Sequence, residues 1–82
     1  MIQIVVVKLG WVLVGHVKEE EDHLVLENAA CIRQWGTTKG LGELAQYGPR
    51  PQSNIDPIGT VQVSKHAVLF RIDCKEDKWK KY

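Results

Sequence analysis

Residues 2–18 leave the chain little choice of secondary structure. Residues 2–8 and 11–18 are both apolar and rich in β-branched side chains, and only Leu9 and Gly10 separate them. So short a link suits a tight hairpin, because glycine accepts the positive φ that such a turn needs. We therefore read the two runs as the first two strands. In the second, Trp11, Leu13, Gly15 and Val17 fall on one face while Val12, Val14 and His16 fall on the other, the period of two that a sheet imposes. Gly15 lies inside this strand, where a missing side chain marks a sharp bend.

Further on, Glu19, Glu20, Glu21 and Asp22 resist burial and make the next turn, and residues 23–27 return as a third strand. Asn28 and Ala29 interrupt it, and residues 30–35 follow as a bent continuation or as a strand of their own. Leu41, Leu44 and Ala45 then recur at helical spacing and Gly48-Pro49 supplies a stop, which predicts a short helix over residues 41–47. Residues 49–57 hold three prolines and read as an irregular loop. Residues 60–63 and 67–72 are two more strands, with Ser64, Lys65 and His66 as their turn. The polar residues 74–82 read as a flexible tail. The expected architecture is mainly β: a small five-stranded barrel over residues 1–73, with a loop and one short helix inserted at 36–59 before the last strands. Closing the sheet would remove its exposed edges.

A chain of 82 residues has room for one core, and a core that small supplies about 3–5 kcal/mol unless metal, disulfides or oligomerisation add to it. Cys31 and Cys74 are too few and too far apart for a disulfide framework or a metal motif, so they read as reduced thiols. That leaves a homo-oligomer as the expected state. No apolar run reaches the length of about 20 residues that crosses a bilayer, and the first residues lack the basic start of a signal peptide. These features place the protein in the cytoplasm, with no membrane partner. A net charge of +1 argues against a basic nucleic-acid coat.

From Gly15 to Ile32, the order Gly-x-Val, an acidic turn with Asp22, Leu24-Val25-Leu26 and then Asn28-Ala29 resembles the first signature of Sm-like proteins. Gly59-Thr60-Val61 followed by residues 68–72 is similar to their second. The likeness covers about half the chain. It implies a bent, SH3-like five-stranded barrel that assembles into rings through its edge strands. The family's uridine-binding pair has no counterpart before Leu24, where His23 stands, and Ile58 replaces the basic residue before the second glycine; RNA recognition therefore does not carry over. Residues 26–45 are similar to a segment of small proteins encoded by bacteriophages and prophages. This second likeness implies an accessory phage product that acts in the host cytoplasm, and it brings no activity with it.

The segment 36–42 is where chemistry is expected. Thr37, Thr38, Lys39 and three glycines precede the helix, so amide groups and the positive helix end could face an anion. Arg33 adds charge and Trp35 a flat surface for a base. Arg33, Trp35, Thr37, Thr38, Lys39 and Gly40 thus form the candidate site for a nucleotide or cyclic nucleotide, such as a host defence signal. It is not a phosphate-binding Walker loop, because Lys39 precedes Gly40 and Leu41 follows it. The alternative is structural: a threonine caps the helix, the glycines turn and Trp35 fills the core. No catalytic residue, metal or cofactor is expected, since His16, His23 and His66 lie on different elements. Docking on a host or virion protein through Trp11, Trp35 or residues 49–57 is the competing function, and an Sm-like RNA-binding ring is the third.

Overall fold

Leu9 and Gly10 do make a tight link: the Val7 amide donates to the Trp11 carbonyl over 2.9 Å, with φ of 70° at Leu9 and 86° at Gly10. In the computed structural model, which describes residues 1–80, this link joins β1 (Ile2–Val7) to β2 (Val12–Glu19). There follow β3 (His23–Gln34), α1 (Leu41–Tyr47), β4 (Asn54–Ser64) and β5 (Val68–Asp73), with single 3-10 turns at Lys65–Ala67 and Glu76–Lys78. The protein is mainly β, and the helix occupies the residues its spacing predicted. All strand pairs are antiparallel, in one sheet of order β4-β3-β2-β1-β5.

Both faces of this sheet carry a core, which explains why β1 is apolar without alternation. Ile2, Ile4, Val6, Val12, Val14, Ala30 and Ile32 pack under α1, against Leu41, Leu44 and Ala45. Val5, Leu13, Leu24, Leu26, Cys31 and Val63 make the opposite core, joined by Val17, Val61, Ala67 and Val68. The two faces expected of β2 are therefore the two faces observed.

The sheet is open, with β4 and β5 as its ends, so closure into a barrel is not reached. It nevertheless curls tightly. Arg71 of β5 lies in one row with Val5 and Leu13, and Glu19 follows six residues along β2, about 20 Å away on a flat strand. Yet the Arg71 guanidinium is 3.0 Å from the Glu19 carboxylate. The bend is at Gly15, where the β2–β3 register shifts and where a Cβ would stand 3.1 Å from the Ala29 Cα and the Glu27 carbonyl. Asn28, with φ of 51°, makes the matching kink in β3, a conformation asparagine tolerates better than most residues.

Two sequence expectations are corrected. The loop expected at 49–57, and the insertion at 36–59 that contained it, end earlier: β4 begins at Asn54 and carries Pro57 opposite Ala30. The proline is accommodated because β4 is an edge strand, where a missing N–H breaks no ladder. The tail expected at 74–82 is also wrong for its described part, and the domain does not stop at residue 73. Cys74 and Trp79 are buried, Trp79 completely. The Cys74 amide donates to the Ile2 carbonyl (3.0 Å) and the Lys75 amide to the Ala45 carbonyl (2.9 Å). Polar neighbours hid a single aromatic anchor. Lys81 and Tyr82, which the same expectation included, lie outside the described residues.

Candidate functional site

The segment between β3 and α1 is shaped by its glycines and by one carboxylate. Gly36 has φ of 68°, and a Cβ there would come within 2.4 Å of the Gln52 backbone. This close approach lets the segment lie on the turn at residues 50–53. Ser53 ties the two together: its hydroxyl donates to the Trp35 carbonyl over 2.6 Å and accepts from the Arg50 amide over 2.8 Å.

Glu43, in the first turn of α1, occupies the place expected for an anion. Its Oε1 accepts from the Lys39 amide (3.2 Å) and lies 3.5 Å from the Thr38 hydroxyl, while Oε2 stands 3.5 Å from the Arg50 guanidinium. A carboxylate here suits the positive end of the helix. Thr37 donates to the Gly40 carbonyl over 3.0 Å. Neither threonine caps α1 in the expected way: the N-cap is Gly40, with no side-chain cap, because residues 37–40 turn back on themselves before the helix begins.

The candidate residues are thus only partly brought together. Arg33 points from β3 to an ion pair with Asp56 of β4, which offsets its charge. Trp35, at the end of β3, is 42% exposed; it does not fill the core, and its ring lies 3.9 Å from where a Cβ on Gly40 would be. Lys39 instead faces an open depression of about 510 Å³ with Gly42, Glu43, Gln46, Tyr47 and Arg50. Four of these, Glu43, Gln46, Tyr47 and Arg50, were missed from the sequence. Their signal was present: 39, 42, 43, 46, 47 and 50 recur at helical spacing, the polar stripe opposite the buried Leu41, Leu44 and Ala45. The depression offers two cationic groups, one carboxylate, one amide and an exposed phenol ring, a set suited to a polar or anionic ligand.

Other ionisable groups serve the fold. Arg71, and then Lys65 at 3.3 Å, hold the Glu19 carboxyl below its ordinary range. His23 does the same for Asp22 at 2.8 Å. Burial pushes the Cys74 thiol up to about 12. Among the described residues, no three His, Cys, Asp or Glu side chains gather as a metal site, and no helix is long and apolar enough to cross a membrane. No known protein family and no curated protein matches the chain.

Proposed function

We propose that the protein is a non-catalytic binding module that acts as a homo-oligomer, joined through the free edge of β5. One observation carries this reading: Leu69 and Phe70, 60% and 51% exposed, stand side by side on a strand with no partner on its outer side among the described residues. Such an edge is a template for another strand, and proteins that stay monomeric block theirs with lysine, proline or bulges. The outer edge of β4 is blocked in this way by Pro57, whereas β5 carries no lysine and no proline, and its one register shift, at Leu69, leaves residues 70–73 regular. Light scattering tests the reading: wild type should run as an oligomer at high micromolar concentration, and Leu69→Lys as a folded monomer. A monomeric wild type refutes it.

The depression on α1 favours a second activity for the same module, binding of a nucleotide or cyclic nucleotide. Lys39 and Arg50 supply charge for a phosphate and Tyr47 a ring for a base, a contact worth about 1–3 kcal/mol where such stacking has been measured. The likeness to phage proteins supports a host signal as the ligand. The absorbance ratio at 260 and 280 nm of freshly purified protein, and the small molecules released on denaturation, test it. A protein that never carries or binds a nucleotide removes this activity and leaves the oligomer reading intact.

A further inference from the structure

The contact between copies can be specified to the residue, given the oligomer reading above. The Cys74 amide donates inward to Ile2, and Ile72 and Phe70 stand opposite Ile4 and Val6 of β1. Backbone groups alternate along a strand, so Arg71 and Asp73 turn their N–H and C=O outward, to the free side. On the other end of the sheet, β4 offers a poorer surface: Pro57 lacks an N–H, Gly59 has φ of 84°, and the register slips on both sides of Ala29. On β5 the register slips once, at Leu69, and residues 70–73 pair with β1 without interruption; a second copy carries the same edge.

Antiparallel pairing of the regular stretch 70–73 with itself must match outward-facing residues, so Arg71 meets Arg71 or Asp73 of the second copy. Arg71 opposite Arg71 sets like charges together. Opposite Asp73 it gains an ion pair, repeated by symmetry. Within its own chain Arg71 uses Nη1 on Glu19, and Asp73 uses Oδ1 on Gln3, which leaves Nη2 and Oδ2 to cross the contact. The same register puts Ile72 opposite Ile72 on the two-fold axis and Phe70 opposite Cys74. Beside Cys74 lies a groove of about 450 Å³ between α1 and β5, with Ala45 and Ile72 in its wall. It opens on the face that Phe70, Ile72 and Cys74 share.

We infer that the protein forms a two-fold dimer by antiparallel pairing of β5 with β5 of a second copy, Arg71 opposite Asp73, each Phe70 seated in the α1/β5 groove of the other copy. Charge complementarity and the fit of the exposed aromatic to the groove select this register independently. Such a contact is self-complementary, so it closes at two copies and cannot extend into a ring or fibre.

Ile72→Cys, made together with Cys74→Ala, tests the arrangement, because it sets two new thiols opposite one another on the two-fold axis. Residues opposite one another in a non-hydrogen-bonded pair have Cα atoms about 4.5 Å apart, within reach of a disulfide. Treated with diamide, this variant should give a reducible dimer, whereas Phe70→Cys in the same Cys74→Ala background, with an alanine opposite, should give none. Circular dichroism checks that both variants fold. Arg71→Glu should weaken the dimer at least tenfold. A cross-link through Phe70→Cys means another register and overturns the inference. So does an assembly larger than two, or an oligomer that never cross-links, although both leave the oligomer reading standing. A monomer by light scattering removes both.

Discussion

The indole N–H of Trp79 donates to the carbonyl oxygen of Leu44 over 3.0 Å. The Gly48 amide donates to the same oxygen over 2.8 Å, so the indole is a second donor there, while its ring completes the core under α1. Trp79→Ala should therefore cost about 3–5 kcal/mol in urea unfolding, the usual range for removing a large buried aromatic. Trp79→Phe keeps most of the apolar surface and loses the donor, so it should fall between the two. Deleting residues 76–82 should abolish the folding transition; an unchanged melting temperature would show that the segment does not hold α1 down.

Gly36 should be the least replaceable residue of the loop. Ala at Gly36 meets both the strain of a positive φ, about 1–2 kcal/mol, and a backbone clash with Gln52. Ala at Gly10 meets strain alone, because nothing lies within 4 Å of its Cβ position. Thermal melts should show a clearly larger loss for Gly36→Ala. Equal losses would mean that the turn at residues 50–53 moves aside freely.

Glu43→Gln should open the anion question directly. Removing its charge takes the carboxylate from the Lys39 amide and from Arg50, at a cost of about 1 kcal/mol through the lost helix-end and ion-pair interactions. If the depression binds phosphate groups, the variant should bind a nucleotide more tightly than wild type by calorimetry, since one negative charge has left the site. Weaker binding would show that Glu43 itself contacts the ligand.

Acid should loosen the curl of the sheet. Arg71 and Lys65 depress the Glu19 pKa below 4.5, so the folded state holds this proton less tightly than the unfolded chain. The contribution is present above pH 4.5 and lost as pH falls through the lower folded value. Glu19→Gln lacks it at every pH, so the stability difference from wild type should shrink as the solution is acidified. High salt should shrink it as well, because the pair is exposed. A difference independent of pH would assign the role of Glu19 to packing.

Alkali should act through Cys74. Its pKa rises from 9.0 to about 12 on folding, so the folded state favours the neutral thiol. This contribution is full below pH 9.0 and lost as pH rises toward about 12, and Cys74→Ala should flatten that limb. Both cysteines are buried, and at pH 8 a disulfide reagent should label them only at the rate at which the chain opens. Rapid labelling of the native protein would contradict the buried setting.

The parts legible in the sequence were those whose signal is local. A hairpin written in two β-branched runs, a helix written in Leu41, Leu44 and Ala45, and the two faces of β2 all follow from the periods of the backbone itself. Gly15 could be read as a bend for the same reason. Nothing local, however, says that Trp79 reaches back to Leu44, because a lone aromatic among lysines and acids has no period. Nor does the loop composition say that Glu43 takes the amide that an anion was expected to take, or that Arg33 is matched by Asp56 on a strand whose start the prolines concealed. The sequence by itself determined the β1–β2 hairpin, the helix and which of their faces must be buried. Only the tertiary structure decided which charges cancel and which strand edge stays open. Those depend on distances between residues far apart in the chain, and the curl of the sheet at Gly15 sets them.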